Sequence, residues 1–433
     1  MSRMARVPRT PLVTAWDELK ESGALAIDAL WTQPVRSALA IVGVVIGIVT
    51  VVLVASVLAG LRNGVAELFR DLGTENVFAF HLSGDPYQPP SEREARRRPL
   101  DPAFARELAR RGDAIRDVAV QIIVPPIVGG RALSVRAGRA ESDTVLVEAA
   151  SANYFDVVGA TFEAGRPFTE IEDRAAARVA IVGANLARAL FGRGAQGRTV
   201  GRTLVLAGET YTVVGELAPR RGGFFGENRQ DNVLALPVGT VRRRFPQAEA
   251  TVLYVRARPG QLELARTQTE VILRQLRGLG PGAPNDFTLS TADQIIASFD
   301  RLSAAIGLAT VGLALVSLAI GGIGIANVMI IAVTERTREI GVRRAVGARR
   351  RVVLRQFLLE AVLLSASGGL LGMLLAAIVG VGLSLAFPAL SAAPPAWVVL
   401  AGLASAVGVG VVAGYWPARR AASIDPIEAL RYE

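Results

Sequence analysis

Thirty-three residues without a charge, Leu302 to Thr334, limit this chain more than any other feature. Coiled as a helix they extend about 50 Å, more than the roughly 30 Å of hydrocarbon in a bilayer. The run therefore reads as a span with a part left standing outside the membrane. Ser37 to Leu61 is another uncharged run, 25 residues long, or about 37 Å of helix. Beyond Glu360 no charge returns until Arg419, and "FPALSAAPPA" (387–396) breaks that stretch with three prolines, which a continuing helix cannot hold. Two more spans follow, 361–386 and 397–416. A chain with 51% hydrophobic residues is too apolar for an ordinary soluble enzyme. The expected fold class is a multi-pass α-helical membrane protein with four transmembrane helices (37–61, 302–334, 361–386, 397–416).

Basic residues give the orientation. Five precede the first span, eight lie in 335–360, three follow Trp416, and the short loop 387–396 has none. Both termini and the charged loop are thus expected on the cytoplasmic side, with 62–301 as a large extracytoplasmic domain. That domain holds 32 arginines against 28 acids, so the net +10 of the chain is disproportionately in the loop 335–360 and is no nucleic-acid footprint. A signal peptide is the competing reading of the first run, but an h-region has roughly 7 to 15 residues, and this run is an uncleaved anchor. Before it, Leu12, Trp16, Leu19, Ile27, Leu30 and Trp31 share one face of an amphipathic helix (1–36) suited to the membrane surface. Trp16, Trp31, Trp397 and Trp416 all fall at expected membrane–water boundaries.

The outer region alternates strand-like and helix-like runs, as in "RVAIVG", "ANLARALFG" and "RTLVLAGETYTVVGEL", and an α+β domain is expected. "DPYQPPSEREARRRP" (85–99) reads as a loop. "GLRNGVAELFRDLG" and "TADQIIASFDRLSAAIG" read as amphipathic helices that continue the first two spans outward as a stalk. Chemistry is sparse. The chain has no cysteine and one histidine, His81, which disfavours disulfides and an ordinary zinc site. Lys20 is the only lysine and follows Leu19, so no G-x-x-x-x-G-K-[ST] phosphate loop exists.

The densest charge is in "NVMIIAVTERTREIGVRRAVGARRR", Asn327 to Arg351. Anchoring explains its arginines. It does not explain Glu339 four residues before Arg343, or Glu335 three before Arg338, spacings at which helix-surface ion pairs form. Gly341 and Gly347 divide the segment, and Ile340, Ala345 and Val346 give it a small apolar surface. The pattern predicts a short helix that docks into a partner. Gly43 and Gly47 in the first span, with Gly321, Gly322 and Gly324 in the second, permit close helix approach; Gly43, Gly47, Gly321 and Gly324 are candidates for a dimer interface.

"NVMIIAVTERTREIGVRRAVGARRRVVLRQFLLEAVLLSASGGLLG" and the ending "PARRAASIDPIEALRYE" resemble the MacB and FtsX-type ABC transporter permeases. "ANYFDVVGATFEAGRPFTEIEDR", "VAIVGANLARALFG" and "YTVVGEL" are similar to the periplasmic core of that family, and "WTQPVRSALAIVGVVIGIVTVVLVASVLAGL" to its first span. The resemblance covers nearly the whole chain. It implies a bacterial inner-membrane permease that acts as a dimer with a cytoplasmic ATPase and transmits ATP-driven motion to a MacB-like periplasmic core domain. ATP and magnesium would then be bound by the partner ATPase, a separate polypeptide, and this chain would hold no cofactor and catalyse nothing. The charged segment becomes a coupling helix, with Glu335, Arg338, Glu339, Ile340, Gly341, Arg343, Ala345 and Gly347 as contact candidates. The family includes efflux pumps for macrolides, peptides and toxins that use a periplasmic adaptor and an outer-membrane channel, lipoprotein-releasing permeases, and FtsX-like regulators of cell-wall hydrolases. Efflux and hydrolase control both stay open on the residues alone.

Overall fold

The computed structural model describes residues 34–71, 75–82, 91–219, 229–386 and 394–431. The amphipathic helix expected over 1–36, with Trp16 and Trp31, lies almost wholly outside the described residues. The chain divides into two compact units, one formed by 1–60, 303–386 and 391–433, the other by 61–302 and 387–390.

Four helices among the described residues are long and apolar enough to cross a membrane. They are α1 (Pro34–Asp71), α2 (Ala292–Glu335), and, after the short α3 (Thr337–Ala345), α4 (Arg350–Ala386) and α5 (Ala396–Ser423). A last short helix, α6, covers Pro426–Arg431. At 38 and 44 residues, α1 and α2 extend about 57 and 66 Å, so the amphipathic stretches 60–73 and 291–307 belong for the most part to the same unbroken helices as the spans. Helix α4 begins at Arg350, ahead of the apolar run, and α5 continues through Pro417 to Ser423.

Small residues hold the membrane unit together. A Cβ on Gly43 would lie 2.7 Å from the Gly321 Cα, one on Gly47 3.0 Å from the Leu318 side chain, and one on Gly324 2.8 Å from Ala40. These are backbone-level contacts between α1 and α2 of one chain. The glycines assigned above to a dimer interface are therefore packed inside the subunit: glycine spacing identifies a face of close approach, and here the other face belongs to the same chain. Gly368 and Gly372 of α4 bring it against Val44 and Ile48 of α1, while Gly410 of α5 meets Val362 of α4. The Ser365 hydroxyl donates to the Ala406 carbonyl at 2.6 Å, satisfying a buried polar group across α4 and α5. Gly322 faces Val409 and Ala413 of α5, which closes a ring of four helices around Val44, Ile48, Ile325, Phe357 and Ala406.

The second unit is built on a mixed 12-stranded sheet. Strand Ile115–Ile123 runs antiparallel to Ala250–Ala257, with Val120 opposite Leu253, and to Leu146–Ala150. Val233–Pro237 lies parallel to Leu146–Ala150, and Val179–Val182 parallel to Glu209–Leu217. Alternation decides the layers. Val118 and Val120, Leu253 and Val255, Leu234 and Leu236 point into one core with Leu108, Leu186, Val241 and Leu273 from helices. Ala119, Tyr254 and Ala235, the residues between them, point into a second core with Tyr154, Phe155 and Phe168. Period-two side chains buried on both faces require cover on both. Rings meet edge-on in the second core, Tyr154 and Phe78 each 5.3 Å from Tyr254. At Gly165 φ is +80° and the Val214 carbonyl leaves no room for a Cβ, so "EAGRPF" needs its glycine. Where the two long helices belong to this unit, Arg62 of α1 grips Asp300 of α2 through two bonds of 2.7 and 3.2 Å.

Two outcomes follow from this packing. Gly321→Leu should destabilise the membrane unit by about 1–3 kcal/mol, the usual cost of overpacking, in denaturant titrations of detergent-solubilised protein. The loss should not depend on protein concentration; a loss confined to high concentration would place Gly321 between copies. In the outer domain, Arg166 donates to both carboxylate oxygens of Glu172, at 2.8 and 2.7 Å, within a Thr169 capping box. That guanidinium, with the Thr169 cap, holds the Glu172 carboxyl down at about 2, against its ordinary 4.5. The pair therefore contributes stability above pH 4.5 that is lost as pH falls toward 2, on the order of 1 kcal/mol once the half-exposed guanidinium is screened by water. Glu172→Gln should remove this contribution at neutral pH and flatten that part of the acid profile, read by hydrogen exchange of residues 166–174.

Candidate functional site

The chain turns from α2 to α4 through the charged segment. Helix α2 stops at Glu335, Arg336 leaves helical geometry with φ −99° and ψ 14°, and α3 follows from Thr337. It ends at Ala345 with Val346 as its C-cap, and Gly347 with φ +105° reverses the chain into α4, a left-handed conformation that suits glycine. The Arg336 guanidinium lies 3.6 Å from Glu360 of α4, whose side chain is 4% exposed. This cross-link pins the start of the turn to the bundle.

Helix α3 has two faces. On the inner one Ile340 is 3% exposed and Gly341 is buried, and the partner is α6 of the same chain: a Cβ on Gly341 would sit 2.5 Å from the Ala429 Cβ. Ala429 is itself 1% exposed. The Arg344 guanidinium donates to the Ala422 carbonyl at 2.5 Å, tying the end of α3 to the end of α5. Ile340 and Gly341, expected to touch a partner, thus seat α3 on its own tail; a small residue is needed there because two backbones of one subunit approach.

The outer face carries Arg338, Glu339, Val342, Arg343 and Ala345, all exposed, as are Glu335 before the helix and Val346 and Gly347 after it. Glu339 and Arg343 form the i,i+4 ion pair, and Arg343 also donates to Gln356 at 3.0 Å. Both charges are about half exposed, so the pair contributes a few tenths of a kcal/mol at most. Val346 at 85% and Val342 at 47% exposure stand among arginines on a surface that faces neither core. Val342 escaped the sequence reading because it stands between Gly341 and the Arg343–Arg344 pair, with no large apolar neighbour on either side. Helix α6 escaped it because six residues are too few for periodicity, although Asp425 before Pro426 is a helix-start signal: the Asp425 carboxylate accepts from the Ile427 N–H at 2.8 Å. Among the described residues no cluster of His, Asp and Glu fit for a metal occurs.

Residues 37–271, more than half of the chain, match the family model of the MacB-like periplasmic core domain. The chain belongs to that family. Residues 311–426 also match the FtsX-like permease C-terminal model, which contains the whole of α3 and the turn into α4. A pyoverdine export ATP-binding/permease protein of Pseudomonas putida is 33% identical over 423 residues, 97% of this chain and 61% of that protein. A macrolide export ATP-binding/permease protein of Sodalis glossinidius is 33% identical over 420 residues, 96% of this chain and 61% of that protein. The chain spans about three-fifths of the length of these curated relatives. The solved periplasmic region of MacB from Actinobacillus actinomycetemcomitans aligns with a TM-score of 0.42 at 18% identity, over 55% of this chain and 97% of that one. The chain thus joins a MacB-like periplasmic core domain to an FtsX-like permease C-terminal region, with four helices long and apolar enough to cross a membrane among the described residues.

Proposed function

We propose that this chain is the membrane subunit of a MacB-like ABC transporter, in which a separate cytoplasmic ATPase binds ATP and magnesium and pushes on α3. The four helices pass that motion to the outer domain, so the chain transmits force and carries out no chemistry. The observation that carries this reading is the division of α3 into a face fixed to its own subunit and an exposed face of valines among arginines. An anchor needs the arginines alone; an element that receives a push needs a rigid back and a free front. An ATPase acting on this membrane region is supported by the relatives named above, which are export proteins of ATP-binding/permease type.

The basic residues favour a cytoplasmic position for both termini and α3. The proposed role is export of drugs, peptides or lipid-linked substrates, with a periplasmic adaptor and an outer-membrane channel as further partners; the relatives are named for pyoverdine and macrolide export. Two copies are proposed to act together. Since Gly43, Gly47, Gly321 and Gly324 are occupied within the subunit, a second copy meets an outward face, such as the exposed side of α2 around Leu308 and Leu315.

Two measurements test the reading. In cells with a permeabilised outer envelope, a cysteine replacing Ile171, 79% exposed, should react with an impermeant thiol reagent, and one replacing Val346, 85% exposed, should not; labelling at Val346 would reverse the orientation. Val346→Asp adds a charge that a closed interface cannot hydrate, and should weaken co-purification with the ATPase and stimulated ATP hydrolysis by about tenfold or more. Full binding and stimulation in this variant would leave the segment an anchor.

A further inference from the structure

Helix α6 has no evident task in a transporter whose only lever is the loop between two spans, yet its placement is specific. Ala429 is buried against Gly341, where an added Cβ would meet no atom nearer than the Ala429 Cβ. Ile340 is buried within the same cluster as Ala418, Ala421 and Ala422 of α5. The Arg344 guanidinium reaches the Ala422 carbonyl, one residue before the end of α5. Asp425 caps α6 at both its backbone and its side chain, its carbonyl accepting from Ala429 at 2.9 Å and its carboxylate from Ile427. A six-residue helix is not stable alone in water, so this order depends on the surface beneath it, and that surface is α3.

We propose that α3 and α6 form a single body through which the ATPase drives the membrane helices, with the Gly341–Ala429 contact as the joint that holds α3 at its working angle. This rests on the reading of α3 as the ATPase contact. Held only at its two ends, by the Arg336–Glu360 pair and the Gly347 turn, α3 would roll when pushed. With α6 behind it, the push passes to the end of α5 through Ala429 and Arg344 and reaches two spans at once. Gly341 and Ala429 are positioning residues: neither faces the partner, and their effect is on coupling.

The test uses the full chain reconstituted with its ATPase. Gly341→Ala places a Cβ 2.5 Å from the Ala429 Cβ, a distance that real side chains do not tolerate, and should lower stimulated ATP hydrolysis about fivefold or more. Adding Ala429→Gly removes the opposing Cβ and should restore more than half of the loss. A chain ending at Ile424, which lacks α6 while keeping all four spans, should behave like Gly341→Ala whether or not that variant inserts well. Normal stimulation in Gly341→Ala or in the shortened chain overturns the proposal, and so does a loss that Ala429→Gly does not repair, since Gly341 would then act on the ATPase directly. Val346→Asp separates this from the underlying reading: if that variant couples normally, α3 is not the ATPase contact, whatever Gly341 does.

Discussion

Inside a bilayer, helices gain nothing by hiding apolar surface from one another, because lipid tails are as apolar as leucine. Association has to come from dispersion at short range, and short range between helices requires the absence of side chains. The contact of Gly43 with Gly321, at which an added Cβ would fall 2.7 Å from backbone, is that condition met in full. Everything else in the membrane unit depends on it. Once α1 lies against α2 at that distance, Gly368 and Gly372 bring α4 to the other side of α1, and Gly410 brings α5 to α4. Leucines and isoleucines remain outside, on Leu308, Leu315, Leu371 and Ile378, where lipid can cover them.

A bundle closed in this way passes movement from helix to helix with little loss, because close-packed surfaces deform poorly. The charged segment is attached to it at several points of different kind: the Arg336–Glu360 pair, the burial of Ile340, and the Arg344 hydrogen bond to the end of α5. The exposed ion pair between Glu339 and Arg343 adds little to this attachment. Charge is abundant in the segment, but only the Arg336 pair with the buried Glu360 and the Arg344 guanidinium on a carbonyl join apolar burial in fixing its position.

Much of this was legible in the residues. Four uncharged runs gave four helices, since length and absence of charge are sufficient in a bilayer, and the alternation in "RVAIVG" and "YTVVGEL" was that of strands now found at 179–182 and 209–217. Partner choice was not legible. Gly321 marks a face of close approach without naming what approaches it, and the same holds for Gly341, which meets Ala429 from 88 residues further along the chain. Strand order in the outer sheet was equally hidden. Asn76–Phe80 lies between Ala250–Ala257 and Thr288–Thr291, pairings set by the burial of both faces and not by any local preference. Val342 and α6, the parts of the candidate site that sequence reasoning missed, are a single valine beside a pair of arginines and a helix of six residues, both below the length at which periodicity speaks.

Helix α5 keeps its course through Pro417, and the ring there offers no N–H to the carbonyl of Ala413. One rung of the hydrogen-bond ladder is therefore missing just where the helix carries its last turn toward the tail. A rod with a missing rung bends more easily at that place than elsewhere. The turn at 413–417 is thus the natural hinge between the last turn, Ala418 to Ser423, and the packed span around Gly410. Stiffness along this helix is graded, and the soft point is written into the chain as a single imino acid.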